Sequence, residues 1–199
     1  MESKAKLFLS NYAGTSLLAL ALCASLSFNV YQALEMRGAF VPSPPEVRVG
    51  TKIPTPFAVT DPDGKSVALN FADDSRPTVI YVLSPLCGWC KRNEANIKAV
   101  VAQAGSKFRF VGLSIASQNL KEYVAEKHAP FPVYLVNSAD EIKKLNLGST
   151  PQTLLVNSSG RVEKAWAGAY VEKNRTQVEK FFGVNLPGLQ EVASSAPPS

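Results

Sequence analysis

The stretch that decides how this chain is read is residues 78–90, TVIYVLSPLCGWC. Its first part, Thr78 to Leu83, is an unbroken β-rich apolar run, the pattern of a strand buried on both faces. Ser84-Pro85-Leu86 ends that run, because proline fixes its own φ and has no amide hydrogen for a sheet. Past Cys90, the residues Ile97, Val100, Val101 and Ala104 recur at helical spacing, and Gly105 supplies a stop. Cys87 and Cys90 are therefore expected on the first turn of a helix that leaves a central strand.

That position has chemical consequences. Free amide hydrogens and the helix dipole favour a thiolate on the first cysteine, and a spacing of three residues lets the two sulfurs close a disulfide. Cys87 is the expected nucleophile toward a partner's sulfur, and Cys90, deeper in the helix, is expected to resolve the mixed disulfide. Lys91 and Arg92 add positive charge that solvent screens. Other uses of such a pair fit less well. Structural zinc asks for about four Cys or His ligands, and the only further candidates are Cys23 and His128. Covalent haem needs histidine after the second cysteine, where Lys91 stands. A purely structural disulfide is the bland reading, disfavoured by its four-residue ring just after a buried strand. Three cysteines are too few for a disulfide scaffold. No metal and no cofactor is expected.

Outward from this core the chain alternates. Phe57–Thr60 and Ser66–Leu69 flank Asp61-Pro62-Asp63-Gly64-Lys65, a turn cluster that predicts a β-hairpin. After the cysteine helix, Phe108–Leu113 reads as strand, Leu120–Lys127 as helix, Pro132–Val136 as strand and Ala139–Leu145 as helix, an alternation that implies parallel strands with crossover helices. Thr153–Asn157 and Val162–Trp166, joined by Ser158-Ser159-Gly160-Arg161, read as an antiparallel hairpin. Lys173–Phe182 closes the domain as a helix. Trp166, Phe108 and Phe110 are expected in the core, and His128 in a loop where nothing nearby completes a catalytic set.

The N-terminal block is of another kind. Between Leu7 and Leu34 no charge interrupts a largely apolar stretch, long enough for the roughly 20 residues that a bilayer core requires. Ala19-Leu20-Ala21 matches a small-x-small cleavage site but lies inside the apolar run, so a retained anchor is preferred to a cleaved signal. Cys23 reads as an apolar cysteine, since bulky Leu22 precedes it where a lipidation site wants a small residue. Lys4 and Lys6 precede the span while Glu35 and Arg37 nearly cancel after it, which points the following domain outward. Beyond residue 40 there are 18 basic and 14 acidic side chains, scattered and without an aromatic-studded stripe, so nucleic acid is not an expected partner. The organisation expected is a cytoplasmic stub and transmembrane signal-anchor over 1–39, a proline-rich spacer over 40–46, one domain over 47–183 and a flexible tail over 184–199.

With these elements in order, the chain resembles a known family. A strand, a CGWC helix, strand, helix and strand, then Thr150-Pro151 before a hairpin and a last helix, resembles the thioredoxin fold. The leading segment VGTKIPTPFAVTDPDGKSVALNF (49–71), the extra helix and strand before the proline, and the anchor are similar to membrane-bound TlpA-like thiol-disulfide oxidoreductases, with kinship to redoxin and alkyl hydroperoxide reductase-type domains. The fold implied is α/β and thioredoxin-like: a mixed central sheet with flanking helices and an N-terminal β-hairpin, preceded by one transmembrane helix. The resemblance implies a cis Thr150-Pro151 bond beside the cysteines and a Thr150 backbone that pairs with a bound substrate segment. Trp89 then either offers a contact surface for that segment or plugs the space beside the sulfurs.

The resemblance also implies protein thiols and disulfides as substrates, a redox partner protein in or at the membrane, and a domain on the periplasmic or extracellular side. Two features depart from it. Tyr81 stands where thioredoxins carry a buried aspartate, and Leu113 to Gln118 holds no acid where several TlpA-like reductases have one. Gly88-Trp89 is an uncommon dipeptide, so the direction of electron flow is not read from the motif. Two rival readings stay open. One is a peroxiredoxin-like thiol peroxidase, for which Ser84 has the right spacing to Cys87 but Ile80 replaces an expected proline. The other is a non-catalytic thioredoxin-fold binding domain.

Overall fold

The computed structural model describes residues 2–39, 45–126 and 128–191. The chain divides into two units, Met1–Ser43 and Pro44–Ser199. Most of the expected spacer, and the chain from residue 192 onward, lie outside the described residues.

The first unit holds one continuous helix, α1 (Glu2–Ala39). Within it Thr15–Glu35, 21 residues of mean hydropathy 1.6, is long and apolar enough to cross a membrane, and no part of it is buried against protein. At 1.5 Å per residue that span is about 30 Å, the thickness of a bilayer's hydrocarbon core. Two polar side chains inside it bond within the helix itself. The Asn29 amide donates to the Ser25 carbonyl at 2.8 Å, and the Tyr31 hydroxyl donates to Glu35 at 2.9 Å. Internal satisfaction of this kind is what an apolar solvent demands.

The second unit is built on a seven-stranded sheet of order β2-β1-β5-β4-β3-β6-β7. The strands are β1 (Phe57–Thr60), β2 (Ser66–Leu69), β3 (Thr78–Leu83), β4 (Arg109–Ser114), β5 (Val133–Leu135), β6 (Gln152–Val156) and β7 (Val162–Ala167). Around them lie α2 (Gly88–Arg92), α3 (Glu94–Ala104), α4 (Leu120–Ala125), α5 (Ala139–Lys144) and α6 (Glu172–Phe182). β3 runs parallel to β4 and antiparallel to β6, and β4 runs parallel to β5. The hairpins β1-β2 and β6-β7 are antiparallel, as their short connections require. The result is the mixed α/β sheet expected.

All six residues of β3 are buried, and the pleat divides them. Val79, Tyr81 and Leu83 join the cluster that contains Cys90, Ile97 and Phe182, while Ile80 and Val82 join the one that contains Val111, Leu113 and Leu154. A strand sandwiched between two apolar layers has no solvent face, which is why its sequence shows no alternation. Trp166 and Phe110 are buried at 6% and 7% exposure, whereas Phe108 is half-buried with its ring edge-on to Phe182 at 5.1 Å.

Two local readings need correction. The single helix expected after Cys87 is two helices, broken at Asn93, whose side chain is recruited into the interior. The chain past residue 183 is not a tail over its first half. Val184 and Leu186 are 5% and 4% exposed, the Gly188 amide donates to Asn96 Oδ1 at 2.8 Å, and the Gln190 amide donates to the Arg92 carbonyl at 2.8 Å. Two buried apolar side chains and partnered amides fix this strap against α2 and α3.

Candidate functional site

Cys87 is the N-cap of α2, in extended backbone at φ −78° and ψ 111°. Because Ser84-Pro85-Leu86 turns the chain off β3, the Cys87 amide donates to the Ser84 carbonyl at 3.0 Å and the Cys87 carbonyl starts the helix by accepting from Lys91 at 3.1 Å. Its sulfur occupies the place of a capping oxygen and accepts from the Cys90 amide at 3.1 Å. As a thiol it also donates to the Thr150 carbonyl at 3.5 Å, a contact that only the protonated form can make.

The two sulfurs, both unbridged, differ in environment. Cys87 is half-buried at the surface, whereas Cys90 is 1% exposed among the apolar side chains beneath β3. Hydrogen bonding with the Cys90 thiol, together with the Cys90 and Trp89 amides, brings the Cys87 thiol down to about 6 against the opposing effect of burial. The same thiol–thiol interaction, followed by burial, pushes Cys90 far up. One sulfur is thus poised as a thiolate at neutral pH and the other is held as a thiol.

The loop facing them is fixed from behind. The Thr150–Pro151 bond is cis, and so is Thr55–Pro56, which the sequence reading did not single out. The Pro151 carbonyl accepts from the Gly168 amide at 2.8 Å. Gln152, 1% exposed, commits its whole side chain to backbone. Its oxygen accepts from the Val47 amide at 2.8 Å, and its nitrogen donates to the carbonyls of Asn146 at 3.1 Å and Ser149 at 2.9 Å. The Thr150 amide, by contrast, has no hydrogen-bond partner among the described residues.

Beneath the cysteines lies a neutral polar network. Asn93 Nδ2 donates to the Tyr81 hydroxyl at 3.3 Å, while Asn93 Oδ1 accepts from Asn96 Nδ2 and from the Tyr170 backbone amide, each at 3.0 Å. The Tyr170 hydroxyl meets Thr153 Oγ1 at 2.6 Å. Burial, with Cys90 nearby, keeps the Tyr81 phenol well above its ordinary pKa, so it is a neutral hydrogen-bonding group and not a base. The place where the resemblance led one to look for a carboxylate is therefore occupied by a phenol and two carboxamides.

Trp89 is 51% exposed, with the Arg92 guanidinium 4.6 Å over its ring, so it presents a surface and does not plug the site. His128 is in a loop, bonded through Nδ1 to Glu94 at 2.8 Å and through Nε2 to Glu126 at 2.7 Å. Burial opposes its protonation, but the two carboxylates outweigh it and raise the imidazole above 6.5. Among the described residues no group of three or more His, Cys, Asp or Glu side chains could hold a metal ion.

The structure thus brings Cys87, Cys90 and Thr150-Pro151 together, with Trp89 at the rim. Sequence reasoning missed Gln152 and Asn93. The signal for both was available: a carboxamide directly after the proline in an apolar strand, and asparagines at 93 and 96 among helix-face positions, are polar groups that need buried partners.

No family model matches the sequence. The chain is 24% identical over 170 residues to the thiol-disulfide oxidoreductase ResA of Bacillus cereus, across 82% of this chain and 90% of that protein. A Chlorobium tepidum structure assigned as the thiol:disulfide interchange protein DsbE superposes with a TM-score of 0.54 at 16% identity, covering 68% of this chain and 95% of its own. A Thermus thermophilus thio-disulfide isomerase gives 0.50 at 23% identity, covering 70% of this chain and 100% of its own. These likenesses establish the fold of the second unit as thioredoxin-like.

Proposed function

We propose that this chain is a membrane-tethered thiol-disulfide oxidoreductase that exchanges disulfides with proteins outside the cytoplasm, Cys87 attacking and Cys90 resolving. The observation that carries the reading is the inequality of the two sulfurs: Cys87 is accessible, receives an amide hydrogen bond and is lowered to about 6, while Cys90 is buried and raised. The relative named for this chemistry supports it.

The Cys87 thiolate attacks one sulfur of a partner disulfide, forming a Cys87–partner bond and releasing the other partner sulfur as a thiolate, which takes up a proton. Cys90 then loses its proton to solvent, attacks Cys87 Sγ and closes the Cys87–Cys90 disulfide, and the second partner sulfur leaves. Two electrons pass to the partner, and a dithiol protein at the membrane returns them by the reverse steps. Each step is reversible, so the direction follows the relative potentials of the two partners. Trp89, Thr150 and Pro151 form the contact surface for the partner segment, the unpartnered Thr150 amide supplying a strand-like hydrogen bond. The anchor is α1, and the positive flank before it faces the domain outward. The peroxidase alternative is weakened because a resolving sulfur sits within the same turn, its residue's amide bonded to Cys87 Sγ at 3.1 Å.

Cys90→Ser tests the assignment. It removes the intramolecular exit, so partner proteins should accumulate on Cys87 as adducts that a reductant releases, while Cys87→Ser should trap few. Adducts on Cys90 in Cys87→Ser, with none in Cys90→Ser, would reverse the roles.

A further inference from the structure

Among the described residues of the second unit only four large apolar side chains are exposed: Val49, Leu86, Trp89 and Val171, at 64%, 55%, 51% and 39%. Three of them share one end of the sheet. Leu86 and Trp89 flank Cys87 in sequence. Val171 belongs to the β7–α6 connection, which is tied to the same end where the Gly168 amide meets the Pro151 carbonyl and the Tyr170 amide meets Asn93. Apolar surface gathered around a reactive group marks a contact surface.

The charge at this end is one-sided. Residues 84–92 contribute Lys91 and Arg92, whereas 115–119, 146–151 and 168–171 contribute no charged side chain. Neither cation is in an ion pair among the described residues. Of the carboxylates on neighbouring segments, Glu94 holds Lys98 and His128, Glu126 holds His128, Glu172 is followed directly by Lys173, and Glu191 follows Gln190, whose amide meets the Arg92 carbonyl. Arg92 is also oriented, its guanidinium stacked over the Trp89 ring at 4.6 Å, so a cation and an apolar face are presented together at the rim.

We propose that this rim selects partner segments whose target cysteine lies within about two residues of an acidic and an apolar side chain. The proposal rests on the exchange reading above and adds the substrate class to it. The apolar side chain packs on Leu86, Trp89 and Val171, and the carboxylate reaches Arg92 or Lys91 while the cysteine sulfur meets Cys87. An ordinary solvated basic face would instead be unpaired by chance and indifferent to what flanks the cysteine.

Two short peptides separate these cases. Each carries one cysteine in mixed disulfide with thionitrobenzoate, one flanked by Glu and Leu and the other by Lys and Leu. Cys87 takes the peptide sulfur and releases thionitrobenzoate as its coloured thiolate. Cys90 then closes the disulfide and releases the peptide thiol. The second-order rate is read from the colour for the reduced full-length protein in neutral detergent, each rate divided by that of dithiothreitol with the same peptide. The expected preference for the acidic peptide is about three- to tenfold at low salt, the worth of one or two exposed ion pairs, and it falls toward one at about 0.5 M salt. Arg92→Gln should reduce it, and Lys91→Glu with Arg92→Glu should invert it. Equal rates for wild type at low salt, or a preference kept by the double variant, would overturn the inference and leave the exchange reading intact. Failure of both peptides to react would overturn the exchange reading and the inference with it.

Discussion

Cys87 and Cys90 carry the same functional group three residues apart, and everything that distinguishes them comes from neighbours. The Cys90 amide, fixed by the first turn of α2, points its hydrogen at Cys87 Sγ, while the Cys90 sulfur is buried in the apolar cluster beneath β3. Iodoacetamide should therefore modify Cys87 with a pH midpoint of about 6 while Cys90 stays inert at neutral pH; mass spectrometry of the two peptides reads this directly. Co-titration of both thiols near about 8 to 9 would refute it. The sign of the stability effect follows. A thiol lowered in the folded state contributes stability fully present above its unfolded value of 9.0 and lost as pH falls through about 6. The urea midpoint of the reduced protein should thus gain on that of Cys87→Ser as pH rises from about 6 to about 8. Gln152 acts one layer back. Its replacement by alanine strands one buried amide and removes the brace from two carbonyls of the loop before Pro151, a loss of about 2–4 kcal/mol by denaturant unfolding. Glutamate at 152 should not rescue it, because the Asn146 and Ser149 carbonyls need a donor.

At the scale of elements, Asn93 is where α2 ends and α3 begins, and its buried side chain serves Tyr81, Asn96 and Tyr170 at once. Asn93→Ala leaves the Tyr170 amide and Asn96 Nδ2 without an acceptor in the interior, so a loss of about 2–4 kcal/mol is expected. If unfolding in urea shows less than about 1 kcal/mol, the junction is held by packing alone. The same residue explains which elements could be read from the sequence. β1, β2 and β3 begin and end where the apolar runs and the Asp61–Lys65 turn placed them, because their signals are local. The break at 93 depends on a partner 77 residues away, and the strap at 184–190 on acceptors at positions 92 and 96, neither of which periodicity records. Likewise the sulfur pair and Pro151 announce themselves as motifs, whereas the brace at Gln152 is visible only once Val47 and residues 146–149 are folded around it.

At the scale of the molecule, the exposed thiol offers a test of topology that needs no partner. Leu17, Leu18, Leu20, Leu22, Leu26 and Phe28 on α1 are each more than 60% exposed. Each such side chain removed from water gains about 1.5–3 kcal/mol, which is what makes α1 the candidate anchor. With Lys4 and Lys6 before the span, the topology proposed above puts the second unit on the outer side. In Cys23→Ala, the remaining thiols are Cys87 and Cys90, and only Cys87 is accessible. A membrane-impermeant maleimide added to intact, briefly reduced cells should therefore label the full-length chain at Cys87, and the labelled chain should stay with the membranes through an alkaline carbonate wash. Labelling that appears only after lysis would place the domain in the cytoplasm. Labelled protein that is shorter by the N-terminal segment and released by the wash would show that α1 is removed as a signal, leaving the exchange chemistry unaffected but untethered.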